Sequence, residues 1–177
     1  NSWAGISLDG GNSFEGGIKI DDTDWFISAC PSSGPDGTIL GDKLYSVFMS
    51  AASGKTLCYS SRFFLSNLQL DTVAPLTGNF TGLGLQNFPR ISSSGNAGAI
   101  VWQQSVNGSA QLAVQFTDNL TNGFPSSYEV LVANNVTNAD VALSPGKIHV
   151  VWEDKNGTVR YKSGAYTVSD APERVAT

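Results

Sequence analysis

Apolar and polar positions alternate along this chain over short stretches. Nowhere do ten or more residues hold the i, i+3, i+4, i+7 spacing of a capped amphipathic helix. The segments KLYSVFMS, AGAIVWQQ and KIHVVWED are rich in β-branched and aromatic residues and predict strands. Each meets a turn signal (AASGK, SVNGS, DKNGT) whose Ser-Gly or Asn-Gly step supplies the positive φ of a tight hairpin. A second strand then follows each turn: TLCYSS, AQLAVQF and TVRYKSG. Shorter strand-like segments precede each hairpin (GPDGTIL, PRISSS, ADVALS), and two more follow the first and second hairpins (NLQLDTV, YEVLVAN).

The hairpin recurs about every fifty residues. Phe48, Trp102 and Trp152 lie near the ends of the three central runs, and Pro35 precedes Phe48 by the same distance as Pro89 precedes Trp102. A strand-built repeat of this length predicts an all-β fold, a β-propeller of four-stranded antiparallel blades. The opening SWAGIS and GGIKI match the third and fourth strands of a preceding unit. The expected divisions are 1–20 as the end of a preceding blade, 25–75 and 79–134 as blades, 138–168 as an incomplete blade and 169–177 as a tail. Roughly three blades plus extra strands fall short of the ~4–8 of closed rings. The expectation is therefore a half propeller completed by further blades of a longer chain or by self-association. An open sandwich of about a dozen strands is the competing architecture.

Composition narrows the classes of partner. With 177 residues the chain can bury a core as one domain, and 14% charged residues with 19 glycines fit a turn-rich β protein. Fifteen acidic against ten basic residues give a net charge of −5, which offers no basic footprint for nucleic acid or anionic lipid. No apolar run approaches the ~20 residues of a membrane span, so no membrane insertion is expected. Asp21, Asp22 and Asp24 form the one run of charge, read as a solvated loop, and neither a metal nor a cofactor is assigned. Cys30 and Cys58 can form one disulfide or remain two buried thiols. Asn79, Asn107, Asn119, Asn135 and Asn156 begin N-x-Ser/Thr sequons, candidate N-glycosylation sites if the chain is secreted. The opening NSWAGIS lacks an initiating methionine, as processed or truncated chains do.

Ser7-Leu8-Asp9-Gly10-Gly11-Asn12-Ser13-Phe14 has the form Ser-x-Asp-x-Gly-x-x-aromatic between two expected strands. Its hydroxyl and carboxylate suit bonds to the turn's own backbone, its glycines suit left-handed φ, and its aromatic is expected to plug the hairpin's side. This motif resembles the Asp-box of the sialidase-like, BNR-repeat β-propellers. The stretches SACPSSGPDGTILGDKLYSVF, FPRISSSGNAGAIVWQQ and DVALSPGKIHVVWEDKNGTVRYKSG look like successive blade cores of secreted members of that family. At FTDNLTNGF the box looks degraded, with Asp118 and Phe124 one residue too far apart. The resemblance implies a structural role at the blade periphery for Ser7, Asp9, Gly11 and Phe14.

A sialidase of that family would need an arginine triad for the substrate carboxylate, a Tyr/Glu nucleophile pair and an aspartate acid/base. The arginines are Arg62, read in a turn, Arg90, on an expected inner strand, Arg160, beside Tyr161, and Arg174, in the tail. Arg90, Glu153 and Tyr161 are the catalytic candidates, and no complete set of paired, oppositely tuned groups is assembled by the sequence. His149 alternates with Ile148 and Val150 and reads as a strand residue rather than a base. The expected function is an extracellular, non-catalytic module, secreted or at the cell surface, binding a glycan or a protein through its axial face and loops. The alternative is a fragment or subunit of a sialidase-like glycoside hydrolase. Convergence of Arg90, Glu153 and Tyr161 at one mouth discriminates the two.

Overall fold

The computed structural model describes residues 2–27, 33–78 and 84–167. Among them are thirteen strands and a single one-turn 3-10 helix at Leu120–Asn122. The strands are β1 (Trp3–Ile6), β2 (Glu15–Lys19), β3 (Asp36–Leu40), β4 (Lys43–Ser50), β5 (Leu57–Phe64), β6 (Gln69–Pro75), β7 (Gln86–Ser94), β8 (Ala97–Val106), β9 (Ser109–Thr117), β10 (Glu129–Val132), β11 (Val136–Ser144), β12 (Lys147–Asp154) and β13 (Val159–Ala165). No helix is long and apolar enough to cross a membrane.

The fold is all-β, built of antiparallel meanders. Strands pair only with their chain neighbours, in the sheets β1-β2, β3-β4-β5-β6, β7-β8-β9-β10 and β11-β12-β13. Hairpin chemistry sets these units: Asn107 and Gly108 both take positive φ (51° and 80°) in the two-residue connection of β8 to β9. The AASGK and DKNGT turns use the same device at Gly54 and Gly157. Arg62 lies within β5 rather than in a turn, because the apolar alternation of LCYSSRFF carries the strand through it.

The three larger sheets stack face on face, and alternation decides which residue faces which neighbour. Tyr45 and Val47 of β4 meet Ile91, Ile100, Trp102 and Ala113 in one core. The opposite face of the same central sheet, through Ala99, Val101 and Leu112, meets Val136, Val141 and Val150 in a second. β8 is therefore covered on both sides, and Trp102 is fully buried with its indole N–H donating to Gln104 Oε1 at 3.1 Å.

Polar groups on the first strand of each sheet tie it to the next. Asp36 Oδ2 accepts the Ile91 N–H (3.0 Å), Thr38 and Ser93 share a hydroxyl bond (2.6 Å), and Ser92 Oγ accepts the Leu143 N–H (3.0 Å). β7 and β11 carry matching irregularities, with register shifts between Asn87 and Arg90 and between Thr137 and Asp140. Phe88 and Asn138, at the same repeat position, take φ of 55° and 50° there. For Phe88 this is a costly conformation, of order 1–3 kcal/mol, and its N–H there donates to Ser33 Oγ at 3.2 Å.

Truncating the largest side chain of the first core tests this account. Trp102→Ala should lower unfolding free energy by about 3–5 kcal/mol, read from the urea midpoint at unchanged slope.

Candidate functional site

The Ser7–Phe14 turn joins β1 to β2 and is organised by one carboxylate. Asp9 Oδ1 accepts the Ser7 hydroxyl (2.8 Å) and the Ser13 N–H (2.9 Å), and Oδ2 accepts the Ser13 hydroxyl (2.7 Å). The Gly11 N–H donates to Ser7 Oγ at 2.7 Å, and Asn12 closes the turn by donating to the Asp9 carbonyl at 2.7 Å. The Ser13 hydroxyl, then the Ser13 N–H and the Ser7 hydroxyl, hold the Asp9 carboxyl down to about 2. All three of these donors belong to the loop itself. Phe14 does not plug the hairpin's side: it is exposed, lying over Gly5 on the hairpin's open face. At FTDNLTNGF the chain forms the 3-10 helix instead, capped by Asn119 Oδ1 accepting the Thr121 N–H at 3.1 Å.

A turn of the same logic closes β12 and β13 and was not visible as a motif. Asp154 Oδ1 accepts the N–H groups of Asn156 (2.9 Å) and Thr158 (3.1 Å), while Arg160 Nε donates to Oδ2 at 2.8 Å. The Asn156 N–H and then the Arg160 side chain lower its pKa. Arg62 is likewise committed, pairing with Asp71 and donating to the Thr121 carbonyl at 2.9 Å. Beside it the buried Tyr45 phenol is pushed up, chiefly by desolvation.

The three catalytic candidates do not share a surface. Arg90 pairs with Val101 and so stands on the side of its sheet that faces β11–β13, donating to the Pro89 carbonyl at 2.9 Å. Glu153 and Tyr161 stand on the opposite face of β11–β13, in step with the exposed Val151 rather than with the buried Val150. Glu153 Oε2 accepts from Asn138 Nδ2 at 2.8 Å. His149 has the partners that the sequence did not reveal. Nε2 bonds Ser144 Oγ at 2.9 Å and Nδ1 bonds the Tyr161 hydroxyl at 2.7 Å, with the two rings stacked at 6.0 Å. That chain fixes the exposed tyrosine.

Asp21 is buried and accepts the Ser2 and Thr23 N–H groups (3.1 and 2.7 Å), whereas Asp24 and Asp22 face Lys19 at 3.1 and 3.9 Å. Among the described residues no three His, Cys, Asp or Glu side chains gather as a metal site. Cys58 is a buried free thiol whose pKa burial raises; Cys30, Asn79 and Arg174 lie outside the described residues. Asn107, Asn135 and Asn156 are exposed, and Asn119 is half-buried at its cap.

A concavity with apolar walls opens between the outer halves of the last two sheets. It has a volume of about 600 Å³, with Val114 and Phe116 of β9, Leu131 of β10, and Ile148 and Val150 of β12 as apolar wall. Tyr128 and Tyr166 stand at its sides, and Glu129, Lys162, Ser127 and Ser163 supply polar groups. Tyr166 is held by packing on Phe116 (5.0 Å between centroids) and by donating to the Ser144 carbonyl at 2.9 Å. Tyr128 sets its ring edge to Trp102 at 5.4 Å and its hydroxyl accepts from Gln104 Nε2 at 3.2 Å. An adjoining recess of about 610 Å³ shares Phe116 and Pro125 and adds Asp118 and Asn122. The sequence reading missed the cleft because its aromatics come from two repeats and from a loop.

No protein-family model and no curated protein matches the chain. Among solved structures, a glycosyl hydrolase from Bacteroides ovatus is similar over 71% of this chain and 49% of its own, at 10% identity and a TM-score of 0.44. The chain thus spans about half the length of that protein. The likeness is distant and carries no argument about activity.

The Asp9 assignment is checked by carboxyl-detected NMR titration. The depressed pKa means that the turn's stabilisation is complete above the ordinary carboxylate range and is lost as pH falls through about 2. Ser13→Ala, which removes the first of the bonds holding the carboxyl down, should raise the Asp9 midpoint towards the ordinary value; an unmoved midpoint would refute the assignment.

Proposed function

We propose that this chain is a non-catalytic, extracellular binding module of β-propeller type, resembling the sialidase-like repeat proteins, and that it takes a glycan in the cleft between β9–β10 and β12–β13. The observation that carries the reading is the lining of that cleft. Aromatic rings held in place by packing and hydrogen bonds, beside hydroxyl, amide and charged groups, match a pyranose, which offers C–H faces for stacking and hydroxyls for bonding. A cleft of about 600 Å³ suits a small ligand, and the adjoining recess lengthens it for an extended one.

The Ser7–Phe14 turn supports the family resemblance through its self-satisfied carboxylate, and the meander sheets support a blade arrangement. Hydrolysis calls for two carboxyl groups across the bond to be cut, about 5–9.5 Å apart. Glu129 is the one carboxylate lining the main cleft, and Arg90 lies on a different face from Glu153 and Tyr161. Among the described residues no pair of carboxyl groups across one cleft favours the reading as part of a glycoside hydrolase.

A glycan array probed with the purified chain is the direct test. The expected result is selective binding of a glycan class, weakened about tenfold by Tyr166→Ala, which removes one stacking ring worth roughly 0.5–1.5 kcal/mol. An array without binders, or one in which Tyr166→Ala binds as the parent does, overturns the assignment of the cleft.

A further inference from the structure

The repeat places one residue type in three equivalent settings. Val47, Val101 and Val151 each precede the aromatic of their unit, Phe48, Trp102 and Trp152. Val47 and Val101 are 0% exposed because each packs on the sheet that follows, whereas Val151 is 38% exposed. The position twelve residues before the aromatic repeats in the same way, as Asp36, Arg90 and Asp140. Asp36 accepts the Gly37 N–H on Oδ1 (2.9 Å) and uses Oδ2 for the Ile91 N–H of the next sheet. Asp140 accepts the Val141 N–H on Oδ1 (2.8 Å), the same local bond, and its Oδ2 has no partner among the described residues. The outward face of β11–β13 thus carries the two features that dock one sheet on the next inside this chain, and Val159 and Tyr161 extend its apolar area.

At the other end of the sheet order the β1–β2 hairpin shows a second open apolar face. Phe14 lies over Gly5 and Trp3 over Gly17, so that two glycines seat two large rings, and both rings remain exposed. A sheet-docking face at one end and an aromatic face at the other are the two halves of a heterologous contact.

We propose that the outward face of β11–β13 binds a second copy of this chain, which seats Trp3 and Phe14 of its hairpin on Val151, Val159 and Tyr161. The contact continues the series of sheet-on-sheet interfaces already present within the chain. Asp140 Oδ2 is placed to accept a backbone N–H of the arriving copy, as Asp36 does within one chain. Two such contacts, each joining β11–β13 of one copy to the β1–β2 hairpin of the other, make a two-fold pair.

Sedimentation velocity on the purified chain at micromolar concentrations tests the pairing, and cross-linking tests its polarity. The expected result is a dimer whose dissociation constant rises on the order of 100-fold in Val151→Lys, since a lysine there must be desolvated at the contact and, standing opposite Asp140, draws its Oδ2 away from the arriving copy. Val151→Ile should remain dimeric, which separates loss of the interface from loss of the fold. For polarity, Leu8→Cys and Ser163→Cys place thiols beside the two faces. Mixed, they should give more bismaleimide-linked dimer than either alone. A chain that stays monomeric, a Val151→Lys variant that dimerises like the parent, or cross-links formed equally well by one variant alone would each overturn the proposal.

Discussion

A sheet that is apolar on both faces is stable only between two other layers, and this requirement governs the whole chain. β8 states it most strongly: Ala99 and Val101 point to one neighbour, Ile100 and Trp102 to the other, and all four are fully buried. Each such side chain contributes about 1.5–3 kcal/mol when covered, except the smaller alanine, so exposing either face of the central sheet would remove a large part of the stability that a domain of this size holds. The same alternation also explains why a short meander can be repeated without a helix: every unit presents a second apolar face to whatever follows.

Apolar stacking alone leaves register free, and polar groups fix it. Gln86 accepts the Cys58 N–H (2.9 Å) and donates to Thr77 (3.0 Å), while Gln115 donates to the carbonyls of Leu76 and Pro125 (2.8 and 2.9 Å). Buried side chains with such partners penalise any slip of one sheet on the next, because a slip leaves them unpaired at about 1–3 kcal/mol each. Asp36 and Ser92 do the same on the inner strands by accepting backbone N–H groups of the following sheet. Sliding is blocked at both the inner strands and the outer ones.

The strands and hairpins were legible because they follow from local chemistry: alternation in KLYSVFMS, the Asn-Gly step at Asn107, and the spacing from Pro89 to Trp102. The bonding of Asp9 was legible for the same reason, since all its partners lie within four residues. What failed depended on distance in the sequence. Arg62 reads as a turn residue until Asp71 and Thr121 meet it across two connections. His149 reads as a lone imidazole until pairing brings Ser144 and Tyr161 to its two nitrogens. Phe14 reads as a plug because aromatic residues usually bury themselves, whereas here Gly5 gives it a seat without a cover.

The contrast between the two kinds of carboxylate bears on function. Asp9, exposed, and Asp154, half-buried, each accept three hydrogen bonds from nearby donors, a state that favours the charged form and removes them from proton transfer near neutral pH. Catalytic carboxyls need the opposite condition: partial desolvation, a raised pKa in one member and a second carboxyl in reach. Tyr128 and Tyr166, by comparison, are rings locked by packing with their hydroxyls already bonded, so little rotamer freedom remains to be lost when a ligand stacks on them. Rigidity in the aromatic wall and the lowered pKa of these two turn carboxylates are two consequences of the same local saturation of hydrogen bonds.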